Sequence, residues 1–192
     1  MSGSAVFLNY KIMSISNKYI ILIFLNLIFC SKIIEQTELR IKEVFPELIS
    51  SEWSMYQIPS KYSKDIQNTV RQKFFRNEVN TWIIIDSDSS KYYAILDNVK
   101  GKSLPITFLT IFNSNSQVKD ITIIKYREGY GYEIGNKKWL QQFDAYTDSS
   151  NYKVGKAISG ISGATISVHS ISKGIRKLSM LISHIIDDLN EK

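Results

Sequence analysis

Near the end of the chain, Val168, Ile171, Ile175, Leu178, Ile182, Ile185 and Leu189 recur at alternating three- and four-residue steps. That spacing puts them on one stripe of an α-helix, with His169, Lys173, Arg176 and Asp187 largely on the other side. Such a stripe must be buried against another surface, and the middle of the chain supplies one. TWIIID (Thr81–Asp86) and KYYAILDNVKG are β-branched and aromatic runs separated by the polar turn SDSS, which predicts a hairpin. ITFLTIF (Ile106–Phe112) and VKDITIIKYRE repeat the arrangement around NSNSQ. Upstream, Glu35–Val44 carries Leu39, Ile41 and Val44 at helical spacing and is stopped by Pro46. Trp53 to Ile58 predicts a short strand ended by Pro59. Ser63 to Phe75 predicts a helix with Ser63 as N-cap and Ile66, Val70 and Phe74 on one face. These elements imply an α+β fold: a twisted antiparallel sheet packed by N-terminal helices and a long C-terminal helix. No repeat or low-complexity tract interrupts residues 33–192, which read as a single domain.

The first 32 residues read differently. Lys11 and Lys18 precede the run IILIFLNLIFC, whose apolar core of about a dozen residues is short for a membrane span and suits a signal-peptide h-region. Met13 is an alternative start. No A-x-A-like cleavage site follows, since Ile28, Phe29 and Cys30 occupy that place. The segment is therefore an atypically cleaved signal peptide, a short anchor, or the leader of a lipoprotein acylated at Cys30. Each outcome puts the domain outside the cytoplasm, associated with a membrane or periplasmic.

Composition narrows the chemistry. Cys30 is the one cysteine, so the rest of the chain has no means of making a disulfide, a cysteine zinc site, an iron–sulfur cluster or a thiol nucleophile. His169 and His184 are the two histidines, too few for a His-rich metal centre. The net charge of +6 and pI near 9.2 come from scattered lysines such as Lys42, Lys73, Lys102, Lys125, Lys153 and Lys173. Scattered lysines describe a solvated basic surface rather than a nucleic-acid patch. Asp86, Asp88 and Asp97 could suggest a pair of catalytic carboxylates, but Asp86 and Asp88 flank a serine turn, where aspartates belong for turn geometry. His169, one helical turn beyond Thr165, lies within reach of an anion there; a surface histidine is the plainer account.

The segment with chemical potential is GKAISGISGATIS, Gly155 to Ser167, which ends where the last helix begins. Gly163 and Ala164 let another molecule approach the backbone, and the N–H groups of a first helical turn favour an anion such as phosphate. Ser162 and Thr165 offer hydroxyls at the same point. Residue chemistry leaves two readings open: a hydroxyl that merely caps the helix, or a phosphate site. The run lacks the Gly-Lys-Ser/Thr ending of a P-loop, and no buried strand leads into a dinucleotide fingerprint.

Ser162-Gly163-Ala164-Thr165, followed by Ile166-Ser167 and a hydrophobic helix, resembles the flavinylation motif of the FMN-binding domain family, which includes the RnfG and NqrC subunits of ion-pumping oxidoreductases. YREGYGYEI (Tyr126–Ile134) with Trp139-Leu140-Gln141-Gln142-Phe143 also resembles that family, so the likeness spans at least Ile121 to Leu189. It implies that an ApbE-type FMN transferase joins FMN to Thr165 by a phosphodiester bond. It further implies that Ser162, Gly163 and Ala164 make room for the phosphate, and that Glu128, Gly129, Tyr130 and Gly131 line the ring pocket. The expected role is electron carriage to or from membrane redox proteins, with no independent catalytic constellation. Ser159 stands where the family pattern usually has an aspartate. The alternative is a flavin-free or non-covalently FMN-binding exported scaffold of the same fold.

Overall fold

The computed structural model describes residues 32–190; the expected signal or anchor run, with Lys11, Met13, Lys18 and Cys30, lies outside them. The chain is α+β. The elements are α1 (residues 32–44), β1 (Leu48–Gln57), α2 (Ser60–Val70), β2 (Glu78–Asp86), β3 (Lys91–Lys100), β4 (Pro105–Asn113), β5 (Val118–Lys125), α3 (Lys137–Leu140) and α4 (Thr165–Asn190). The strands form one antiparallel sheet in the order β1-β2-β3-β4-β5, each paired to its sequence neighbour. The described residues from Arg40 onward make one compact unit. Among the described residues, no helix is long and apolar enough to cross a membrane.

Both expected hairpins form, because each alternating apolar run can pair at once across its polar turn. Asp86 and Asp88 serve the first turn: Ser87 N–H donates to Asp86 Oδ1 at 2.9 Å and Ser90 N–H to Asp88 Oδ1 at 2.8 Å. The bonds that Ser90 donates to Asp88, from its N–H and its hydroxyl, hold the Asp88 carboxyl below its ordinary pKa. Two upstream elements depart from the pattern reading. β1 runs Leu48–Gln57 rather than from Trp53 to Ile58, pairing along its whole length with β2. It is an edge strand with most residues exposed, so no hydrophobic alternation marks it. α2 starts at Ser60 and ends at Val70 instead of spanning Ser63 to Phe75. Pro59, with φ −56°, already holds the backbone for entry and accepts from Ser63 N–H, so Ser63 sits inside the helix and is not its cap. Arg71, in the left-handed region at φ 53°, ends it, so Phe74 lies beyond the helix.

The α4 stripe is buried as its periodicity requires, with Val168, Ile171, Ile175, Leu178 and Ile182 fully inaccessible. Gly174 sets how close α4 approaches the sheet. A Cβ there would lie 2.6 Å from Val99 Cγ1 and 2.9 Å from the Phe108 ring. This close crossing at the ends of β3 and β4 carries the start of α4 out beside the β3–β4 turn and the loop that leaves β5. Farther along the helix, Lys177 is wholly buried, with its Nζ 2.7 Å from Asp97 Oδ2, 3.3 Å from the Lys73 carbonyl and over the Phe74 ring. Asp97 therefore joins α4 to β3 in the core and does not line the 126–131 loop or the start of α4.

Candidate functional site

Three consecutive residues after β5 fasten its exit to three different elements. Tyr126 hydroxyl donates to the Tyr130 carbonyl at 2.6 Å and lies 3.1 Å from Ser167 Oγ in the first turn of α4. Arg127 donates to the Pro105 carbonyl and to Thr107 Oγ1, both at 2.9 Å, which ties the loop to the start of β4. Glu128 Oε1 accepts from Ser103 N–H at 2.7 Å and Leu104 N–H at 2.9 Å, which ties it to the β3–β4 turn. Those backbone donors hold the Glu128 carboxyl below the usual carboxylate range. Residues 126–131 are thereby pinned along one side of a cleft.

The other side is the entry to α4. Ala164 N–H donates to Ile161 carbonyl, and Val168 N–H donates to Ala164 carbonyl in the first helical bond. Gly163, at φ 76°, makes the left-handed step that aims the chain into the helix, a conformation a side chain would strain. Neither Ser162 nor Thr165 caps α4: among the described residues, no side chain accepts from the N–H groups of Thr165, Ile166 or Ser167. The capping reading of these hydroxyls is thus set aside. Both residues are exposed, and the three amides remain open at the positive end of a helix of 26 residues.

Between these walls lies a cleft of about 560 Å³ lined by Lys102, Ser103, Tyr126, Glu128, Gly129, Tyr130 and Gly163 to Ser167. Six of the expected residues line it together: Glu128, Gly129, Tyr130, Gly163, Ala164 and Thr165. Gly131 stands behind the wall. At φ 84°, it leaves space only for hydrogen, since a Cβ would come 2.8 Å from Ala164 Cβ and 2.9 Å from the Tyr126 hydroxyl. Ser162 lies outside the lining. At the cleft, Tyr130 is 87% exposed and Ile166 51%, which leaves apolar and aromatic surface unpartnered beside the start of α4.

Ser159 is held through its backbone. Its N–H donates to Gln142 Oε1 and its carbonyl accepts from Trp139 Nε1–H, each at 2.8 Å, while its side chain is exposed. The path of the loop toward Thr165 therefore depends on Trp139 and Gln142 rather than on a carboxylate at position 159. His169 is exposed, and His184 stacks on Tyr62 with centroids 3.7 Å apart, far down the helix from the cleft.

Lys102, Ser103, Tyr126, Ile166 and Ser167 also line the cleft, beyond the site residues expected from the motif. The only signal for the first two was the glycine at 101 beside a lysine, in a turn that otherwise reads as the end of a strand. The residues present suit a phosphorylated flavin: open helix-start amides and a lysine for the anion, small residues for close approach, and an aromatic rim for the ring. No curated protein matches the chain. The family model for the FMN-binding domain matches residues 101–179, a span that opens at the β3–β4 turn and closes inside α4 and so takes in both walls of the cleft. Over those residues, the chain is similar to the FMN-binding domain family.

Proposed function

We propose that this chain is an electron-carrying flavoprotein outside the cytoplasm that holds FMN through a phosphodiester on Thr165 and exchanges electrons with membrane redox proteins. The observation that carries the reading is the exposed Thr165 hydroxyl beside three open amides, facing the Glu128–Tyr130 loop across one cleft. An ApbE-type FMN transferase can reach such a hydroxyl. In the attachment step, Thr165 Oγ1 attacks the flavin-side phosphorus of FAD and a new P–O bond forms. The pyrophosphate P–O bond breaks, AMP leaves, and the hydroxyl proton passes to a base on the transferase. The ester retains one negative charge, which the open amides of Thr165, Ile166 and Ser167 can accept.

The bound flavin supplies the capacity to take up and release electrons. The chain's residues hold and cover it. Tyr130 and Ile166 offer apolar surface, and Gly129 brings the backbone near, while Gly131 lets the loop pack closely on Ala164. A covalent tether makes ring binding intramolecular, at an effective concentration on the order of millimolar, so the cofactor stays in place where none is replenished. The export-like run before residue 32 supports the location outside the cytoplasm. The test is the absorbance of protein co-expressed with a transferase, then precipitated in acid and washed. Flavin absorbance should stay in the pellet, whereas flavin released into the supernatant would indicate a non-covalent cofactor.

A further inference from the structure

The β3–β4 turn is fixed by bonds to its backbone, which set the point where the exposed Lys102 leaves the chain. Gly101 N–H donates to the Leu104 carbonyl at 3.0 Å and closes the turn. Glu128 Oε1 accepts from the amides of Ser103 and Leu104, across its tip. Gly101 is buried because the carboxylate occupies its side-chain space: a Cβ would lie 2.5 Å from Glu128 Oε1 and 2.6 Å from the Leu104 carbonyl. The residue between the two bonded ends is Lys102, and it lines the same cleft as Thr165. Among the lining residues it is the one cation, and among the described residues no carboxylate lies within ion-pair range of it.

From this we infer that Lys102 is the phosphate-recognising side chain of the cleft, held there by Glu128, and that it makes the site prefer FMN to the unphosphorylated flavin. The assignment rests on the flavin reading above. Two features of the cleft support it. The open amides bind an anion through fixed partial charges, and Lys102 adds a full charge on the facing lip. The other charged lining residue, Glu128, is negative and has one oxygen already taken by two amides. That carboxylate lies against the same turn as Lys102, so the net pull on an anion there comes from the lysine together with the amides of α4 across the cleft.

The test is a fluorescence titration of the full chain, expressed without a transferase, with FMN and with riboflavin at low and high salt. Lys102→Gln should weaken FMN about tenfold and leave riboflavin within about twofold, because a hydrogen bond to a charged group is lost only where the phosphate is present. The salt dependence of FMN binding should flatten in the same variant, and Lys102→Arg should keep both properties. Glu128→Ala, which frees the turn but retains the lysine, should lower the FMN-to-riboflavin preference part of the way. Equal weakening of both flavins by Lys102→Gln, or no weakening of either, overturns the assignment. An unchanged preference in Glu128→Ala overturns the positioning role. A wild-type chain that binds neither flavin overturns the assignment, whereas the covalent reading on which it rests falls only if the chain also stays unmodified beside a competent transferase.

Discussion

The two ends of the contact between α4 and the sheet handle polar atoms in opposite ways. At Lys177, a full charge is buried, but it is paired with Asp97 and lies against the Lys73 carbonyl and the Phe74 ring, so its charge is compensated inside the protein. At Thr165, a hydroxyl and the amides of the first turn have no partner among the described residues, and these residues line a cleft beside the exposed Tyr130. Burying a polar group without a partner costs more than most single interactions return. The first cluster therefore belongs to the fold. The second, left to solvent, is free to receive something from outside. A helix can anchor itself at one point and offer binding groups at another.

Changes at the closed cluster should have the largest effects on stability. Lys177→Met strands the Asp97 charge in the core and should cost about 3–5 kcal/mol in urea unfolding, while Asp97→Leu combined with Lys177→Met should recover most of that loss. A single variant as stable as wild type would show that the pair is not a closed cluster. Gly174→Ala, which drives a methyl into Val99 and Phe108, should cost roughly 1–3 kcal/mol by the same measurement.

Changes at the open cluster should spare the fold and alter binding. Tyr126→Phe loses the bond to the Tyr130 carbonyl and the contact with Ser167, so it should cost about 1 kcal/mol in stability. Flavin retention in the protein-bound absorbance assay should fall by more than that loss alone accounts for. The smallest effect concerns pH. Glu128 titrates below the usual carboxylate range because its ionised form accepts two backbone bonds. A depressed folded-state pKa means that the latch is fully present above the unfolded value and is lost as pH falls through the folded one. In an NMR titration, the amide shifts of Ser103 and Leu104 should move together in acid, with a midpoint below that of an exposed glutamate. A midpoint at the ordinary value would mean that those bonds are not formed in solution.

The sheet and α4 could be read from pattern because each element declares itself locally, by alternation or by a stripe. β1 could not: an edge strand exposed on most of its length has no reason to alternate, and half of LISSEWSMYQ lay outside the reading. The limits of α2 were misplaced because Pro59 and the left-handed Arg71 set them, while Ser63 only resembled a cap. At the site, the motif located Thr165 and the glycines through local composition. What it lacked was the reach of Tyr126, Arg127 and Glu128 to three separate elements, and of Asp97 to Lys177. Those pairings join residues distant in sequence, and each residue alone reads as an ordinary strand or loop position.

The most direct test is the intact mass of the full chain co-expressed with an ApbE-type FMN transferase, alongside Thr165→Val prepared the same way. Wild type should be heavier by one FMN moiety, and Thr165→Val should carry no added mass while folding as wild type does. A wild-type chain that remains unmodified beside a competent transferase, or a variant that still gains the mass, would contradict the assignment of Thr165 as the attachment residue.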